Sequence, residues 1–179
     1  MRMEIERRFL VDGRSDKPWR GDDYDRIVQY YLDGVNVDDG QVFFDGKRLA
    51  SSDFDLTQIT TWRLRDYGGG YILTAKGERL GASAIEYEWE IDSETWGTLD
   101  LTGLPCVSKT RYYWRGVDDL LWEIDEFEGV LGGLIIAEVE LEDEGQEVII
   151  PNWTNLELTH LPGWSNASLS KMIKHSKLN

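Results

Sequence analysis

Charge alternates with apolar character at every second residue over long stretches of this chain, and its sign is sorted from one stretch to the next. Residues 84–92 set Glu86, Glu88 and Glu90 against Ile85, Tyr87, Trp89 and Ile91, the period of two that belongs to a β-strand. Near the N-terminus, Glu4, Glu6 and Arg8 alternate with Ile5, Arg7 and Phe9. Arg63 and Arg65 share a face against Trp62 and Leu64, Thr74 and Lys76 share another, and Lys109, Arg111, Tyr113 and Arg115 share a third. Glu123 and Asp125 fall together with Phe127, while Glu138, Glu140 and Glu142 oppose Ala137, Val139 and Leu141. An ordinary solvated surface intersperses its signs; here acidic and basic faces sit on different strands.

Taken in order, the pattern predicts strands over residues 3–11, 24–33, 58–66, 71–77, 84–92, 107–115, 120–128 and 134–142. Turn residues separate them, among them Asp12-Gly13, Gly68-Gly69-Gly70, Asp118-Asp119 and Gly132-Gly133. Residues 34–57 read as an insertion on the main sheet, with a small hairpin around Asp45-Gly46. Such an insertion could lid a cavity, build a dimer contact or select a substrate. A short helix follows Asp92 or Ser93 as its cap. The tail reads as irregular up to Trp164, after which Ser165 or Asn166 caps a helix to about His175. Eight strands spaced as hairpins favour a mainly β fold: an eight-stranded antiparallel closed β-barrel with a C-terminal helix, formed by a single domain over residues 1–179.

Either face of such strands could point inward. If the charges met water, each strand alone would look ordinary. The sorting of sign argues that they face a shared interior, leaving the apolar faces to pack against the helix, the insertion, the loops or a second subunit. Two carboxylates about 4 Å apart repel by about 4 kcal/mol at an effective dielectric near 20, so acidic walls need cations. Facing arginines and lysines supply some, and divalent ions supply more. A polyanion on the basic wall, bridged by Mg²⁺ or Mn²⁺ to the acidic one, satisfies both, since hard cations prefer oxygen ligands.

The formal net charge of −15 over 179 residues argues against a general nucleic-acid binder and against anionic membrane surfaces. Cys106 is the only cysteine, so no internal disulfide forms and a reducing cytoplasm is the expected location. No signal-peptide core or membrane-spanning apolar run is visible. His160 and His175 have no metal-ligand spacing.

Glu4-x-Glu6-x-Arg8 resembles the ExExK signature of the CYTH, or triphosphate tunnel metalloenzyme, superfamily. The resemblance continues through Gln29-Tyr30-Tyr31-Leu32, Arg63-Leu64-Arg65, Leu73-Thr74-Ala75-Lys76, Glu86-x-Glu88, Lys109-Thr110-Arg111, Glu123-Ile124-Asp125-x-Phe127 and Glu138-Val139-Glu140, and closes on Thr159 and Asn166-Ala167-Ser168-Leu169. It implies an eight-stranded tunnel with charged side chains inside and a divalent-metal-dependent triphosphate hydrolase, most simply an inorganic tripolyphosphatase with some nucleoside triphosphatase activity. It further implies that Glu4, Glu6, Asp125, Glu138 and Glu140 hold Mg²⁺ or Mn²⁺, and that Arg63, Arg65, Lys76, Lys109 and Arg111 form the phosphate wall. Glu86 and Glu88 would orient that wall, hold a second ion or serve only as salt-bridge partners, with Glu123 as a further supporting residue. The expected partner is a small-molecule triphosphate, with a homodimer possible.

One departure bears on the chemistry. In related tripolyphosphatases the signature lysine pairs with a tyrosine, matched by Tyr31, to help activate the nucleophile. Here Arg8 takes that place, and an arginine effectively cannot lose its proton. Arg8 can still bind phosphate. Two other readings therefore stand beside hydrolysis: a module that binds triphosphate or polyphosphate without turnover, and a class IV adenylyl cyclase, although no adenine pocket is apparent.

Overall fold

A computed structural model describes residues 2–176. The strands are β1 (Arg2–Val11), β2 (Tyr24–Leu32), β3 (Asn36–Asp38), β4 (Gln41–Phe44), β5 (Lys47–Ser51), β6 (Ile59–Asp66), β7 (Tyr71–Gly77), β8 (Ser83–Ile91), β9 (Cys106–Arg115), β10 (Leu121–Phe127), β11 (Ile135–Glu140) and β12 (Thr154–Glu157). Helix α1 (Ser93–Gly97) begins at Asp92, whose Oδ1 accepts from Thr95 N, and α2 (Asn166–Ser176) begins where Ser165 Oγ accepts from Ser168 N. Among the described residues no helix is long and apolar enough to cross a membrane.

Eight strands run antiparallel in the order β11-β10-β9-β2-β6-β7-β8-β1, and β1 pairs back onto β11 to close a ring. The ten-residue β1 makes this closure. Its first half pairs with β8 (Glu4 opposite Ala84), its second half with β11 (Arg8 opposite Glu138), and its end with β12 (Phe9 opposite Glu157). Because side chains alternate faces at a fixed period of two, this register carries the charged set of every ring strand to one side.

The apolar faces lie outside and are covered. Residues 34–57 build a separate three-stranded sheet, β3-β4-β5, turned at Asp45 and Gly46, both with positive φ (50° and 73°), the backbone a two-residue hairpin favours. Its Val42, Phe44 and Leu49 pack with Leu56 on Leu64, Leu73 and Ile91 of the ring. On the other side, Trp19, Leu141 and Trp153 cover Phe9, Trp122, Ile124 and Val139. Each such side chain contributes roughly 1.5–3 kcal/mol on burial. At one end of the ring the inward positions themselves turn apolar: Tyr31, Val107, Phe127 and Ile136 pack on Leu158 and Leu169, with Ile173 beside them.

Two elements depart from the expectation. β12 lies in the stretch read as irregular, because Thr-Asn-Leu-Glu carries no alternating apolar face. β3 is exposed along its whole length and exists through its pairing with β4. The final ring strand also stops at Glu140; the chain turns there, and Glu142 N donates to Gln146 Oε1 at 2.7 Å. None of residues 34–57 lines the cavity among the described residues, so the insertion is an outer cover and not a lid.

Candidate active site

The ring encloses a cavity of about 770 Å³. Cross-strand register assembles its wall. Arg63 stands opposite Thr74 and Thr74 opposite Glu88; Lys76 stands opposite Glu86; Glu123 stands opposite Glu138, and Glu6 opposite Glu140. Residues spread over the chain thus become neighbours on one inner surface.

Three groups of charge make up the interior. In the first, Lys76 Nζ contacts Glu4 and lies 3.4 Å from Glu86 Oε2. Arg79 Nη2 contacts Glu6 and lies 3.9 Å from Glu4 Oε2. Burial raises the Glu6 carboxyl pKa to about 7, helped by Glu138 and Glu4 and opposed by Lys76 and Arg79. Lys76 moves upward: burial works against its charge, but Glu6, Glu4 and Glu86 outweigh it.

In the second group, Arg8 Nη2 donates to Glu138 Oε1 at 2.8 Å, and Arg8 N donates to Thr159 Oγ1 at 3.1 Å. Arg111 grips Asp125 with Nε at 2.6 Å and Nη2 at 2.8 Å, and its Nη1 also contacts Glu123. Lys109 Nζ donates to Asp125 Oδ2 at 2.5 Å. Burial opposes ionisation of Asp125 and Glu138, yet the cations around them hold both below the usual carboxylate range: Arg111 and Lys109 for Asp125, Arg8 and Arg111 for Glu138. Burial pushes the Lys109 ammonium down to about 7 against the pull of Asp125.

The third group is the least paired. Arg63 Nη2 donates to Thr74 Oγ1 at 3.1 Å, and Thr74 Oγ1 donates to Glu88 Oε1 at 3.1 Å. Arg65 makes no salt bridge among the described residues, and its buried Nε has no hydrogen-bond partner. Burial, with Arg63 and Arg111 nearby, drives its pKa down to about 10. Tyr31 lies beside this group and accepts a hydrogen bond from Gln29 Nε2 at 2.8 Å; burial raises its phenol pKa. A half-buried guanidinium without a salt bridge suits an anion in the cavity.

The cavity lining includes Glu4, Glu6, Arg8, Tyr31, Arg63 and Arg65, and also Lys76, Glu86, Glu88, Arg111, Glu123, Glu138 and Glu140. Lys109 and Asp125 do not line it. Their side chains have 0% exposure and sit beneath the wall, tied to each other and to Arg111. Sequence reasoning missed Arg79, which follows β7 in a connector outside the strand alternation, and, apart from Thr159, the segment 158–165 that completes the lining. No periodic signal marks either.

A closed ring with an acidic wall, a basic wall and an unpaired guanidinium defines a protein built to hold a small polyanion together with cations. The CYTH domain matches residues 2–170, and the chain belongs to that family. An inorganic triphosphatase of Acetivibrio thermocellus is 34% identical over 173 residues, covering 96% of this chain and 95% of the relative. An inorganic triphosphatase of Nitrosomonas europaea is 39% identical over 114 residues, covering 62% of this chain and 75% of the relative. Among solved structures, a crystal structure of an inorganic triphosphatase superposes with a TM-score of 0.58 at 31% identity, covering 95% of each chain.

This membership implies dependence on a divalent metal. The donor set fits one: Glu4, Glu6, Glu138 and Glu140 line one cavity and offer only oxygen, and the β1–β11 pairing sets Glu6 against Glu140. As the side chains stand, no three acidic groups converge on one point among the described residues. Lys76 and Arg79 hold Glu4 and Glu6 instead.

Proposed function

We infer that this protein is a metal-dependent phosphoanhydride hydrolase acting on inorganic tripolyphosphate, with nucleoside triphosphates as secondary substrates and Mg²⁺ or Mn²⁺ as the cofactor, in the cytoplasm. The observation that carries this reading is Arg65, a half-buried guanidinium with no salt bridge among the described residues and an unpartnered buried Nε, lining the same cavity as Glu4 and Glu6. Arg63, oriented by Thr74, and Arg65 bind phosphate oxygens through their planar forks. Arg8 and Arg111, each held by Glu138 or Asp125, add fixed positive charge where negative charge builds during phosphoryl transfer.

Glu4, Glu6, Glu138 and Glu140 are the residues that would hold the cation, which supplies charge neutralisation and Lewis acidity when bound. Asp125 acts through Arg111, not at the ion, because it lies beneath the wall. Arg8 stays protonated: burial lowers its pKa, but Glu138 and Glu6 raise it further, so it binds and cannot serve as the base. Tyr31 likewise keeps its proton and offers a hydrogen-bond donor.

The test is phosphate release by the purified protein from tripolyphosphate, ATP, GTP and thiamine triphosphate, with Mg²⁺ and with Mn²⁺. Release fastest from tripolyphosphate supports the reading, and none from either tripolyphosphate or ATP overturns it. Arg8 motivates one competing reading, a module that binds triphosphate without turnover. Tight tripolyphosphate binding without phosphate release, together with turnover gained in Arg8→Lys, would establish that reading instead.

A further inference from the structure

Among the described residues, Arg79 is the one cavity guanidinium that does not come from a ring strand. It sits in the connector between β7 and β8, where Leu80 and Ser83 exchange backbone hydrogen bonds of 2.8 and 3.1 Å and Gly81 takes φ +64°. This tight turn points the side chain back into the cavity. Nη1 donates to Ala82 O at 3.0 Å, which leaves Nη2 on Glu6. Lys76, in contrast, projects from β7 itself, contacting Glu4 with Glu86 Oε2 3.4 Å away. Both β1 carboxylates are therefore occupied by protein cations.

A hard divalent ion would take these same carboxylates, and at Glu6 it would stand beside the guanidinium already on Oε1. Two positive charges about 4 Å apart also repel. The two side chains are equally exposed, 23% for Lys76 and 24% for Arg79; what differs is the backbone beneath them. Lys76 stands on a strand paired on both sides, whereas Arg79 stands on a turn outside the ring strands.

We propose that Arg79 is a displaceable counter-ion: it occupies Glu6 in the metal-free protein, gives way when a divalent cation binds, and then turns its guanidinium to the triphosphate in the same cavity. This rests on the reading of Glu4 and Glu6 as cation ligands. It has a consequence that a static salt bridge lacks. The cation frees the arginine that the phosphate chain uses, and the phosphate chain draws that arginine off the carboxylate that the cation uses. Each ligand thereby strengthens the binding of the other, as reciprocal linkage requires.

The experiment titrates Mn²⁺, followed by the electron paramagnetic resonance of the free ion, into substrate-free wild type, Arg79→Ala, Arg79→Lys and Glu6→Gln, each checked for folding by thermal melting. Loss of the competing ion pair should tighten Mn²⁺ binding in Arg79→Ala by up to about five-fold, with Arg79→Lys between it and wild type. In the same Arg79→Ala protein the KM for tripolyphosphate should rise. An Mn²⁺ affinity in Arg79→Ala equal to or weaker than wild type overturns the inference. If Glu6→Gln loses Mn²⁺ affinity at the same time, only the counter-ion role of Arg79 has failed. If Glu6→Gln binds as wild type, the cation assignment itself has failed, and the inference falls with it.

Discussion

Asp125→Asn tests whether a carboxylate that belongs to the family motif acts as a cation ligand or as the buried anchor of the phosphate wall. Asp125 is 0% exposed and accepts three charge-assisted hydrogen bonds, from Lys109 Nζ at 2.5 Å and from Arg111 Nε and Nη2 at 2.6 and 2.8 Å. Asparagine keeps the shape but loses the charge and turns an amide NH₂ toward one of the two cations. Arg111 would retain Glu123 and Glu138. Lys109, wholly buried, has no other salt bridge among the described residues. Removing one partner of a buried pair costs about 3–5 kcal/mol. Lys109 can relieve part of this by releasing its proton, since burial already holds its pKa near 7, so the lower end, about 3 kcal/mol, is expected. With an m-value of about 2 kcal/mol/M, the urea midpoint should fall by about 1.5 M. Tryptophan fluorescence in urea provides the assay, because Trp122 lies in the core cluster behind β10. The double variant Lys109→Met with Asp125→Asn, which removes the stranded ammonium, should recover part of the loss. If Asp125→Asn instead unfolds at the wild-type midpoint yet no longer binds Mn²⁺, Asp125 is a direct ligand and the burial argument is wrong.

Three further outcomes follow from the same charges. The Glu6 carboxyl is raised from 4.5 to about 7, so folding takes up a proton between those values; its contribution is fully present below about pH 4.5 and lost as pH rises through about 7. Glu6→Gln should flatten that fall in the melting temperature of metal-free protein, and an unchanged pH profile would refute the shift. Arg65→Met removes a half-buried charge whose Nε has no partner, so the metal-free protein should melt no lower than wild type, while the KM for tripolyphosphate rises on the order of 100-fold; a variant with wild-type KM shows that Arg65 does not touch substrate. Arg8→Met should lower kcat/KM by about 100-fold or more, whereas Arg8→Lys, which preserves the positive charge, should stay within about ten-fold, measured as phosphate release.

Most of the ring was legible because its inner and outer faces differ in kind. On an ordinary strand the polar face tells only where water is. Here Glu86, Glu88 and Arg63, Arg65 carried opposite signs on different strands, and only convergence in a common interior gives that sorting a purpose. Depth along the ring was not legible in the same way. Lys109 and Arg111 lie on one face of β9, and Asp125 and Glu123 on one face of β10, yet one member of each pair lines the cavity and the other is sealed beneath it. A signal existed: the same faces continue into Val107 and Phe127, which close the ring's end with Leu158 and Leu169. The charged residue next to such an apolar one is the one that gets buried. Arg79 had no such signal. It is placed by a turn, and the alternation that identifies strand residues is silent about side chains that reach in from a connector.

A ring with charge on its inner face must find its hydrophobic stabilisation outside, and this assigns a role to the segments that look like accessories. Lumen residues such as Glu138 and Arg111 give little net stability, since desolvation offsets most of their attraction. The favourable term comes from burying the outer faces. β3–β5 do this for Leu64, Leu73 and Ile91, and Trp19 with Trp153 does it for Phe9, Trp122 and Val139. The inner surface is thus free to carry unpaired or strained charge, such as Arg65, because the outer layers hold the strands in register. The same logic explains why the insertion does not lid the cavity. Its Val42, Phe44 and Leu49 are committed to the outer face of β6, β7 and β8, and pulling them away to cover a mouth would expose the apolar surface that keeps those strands in the ring.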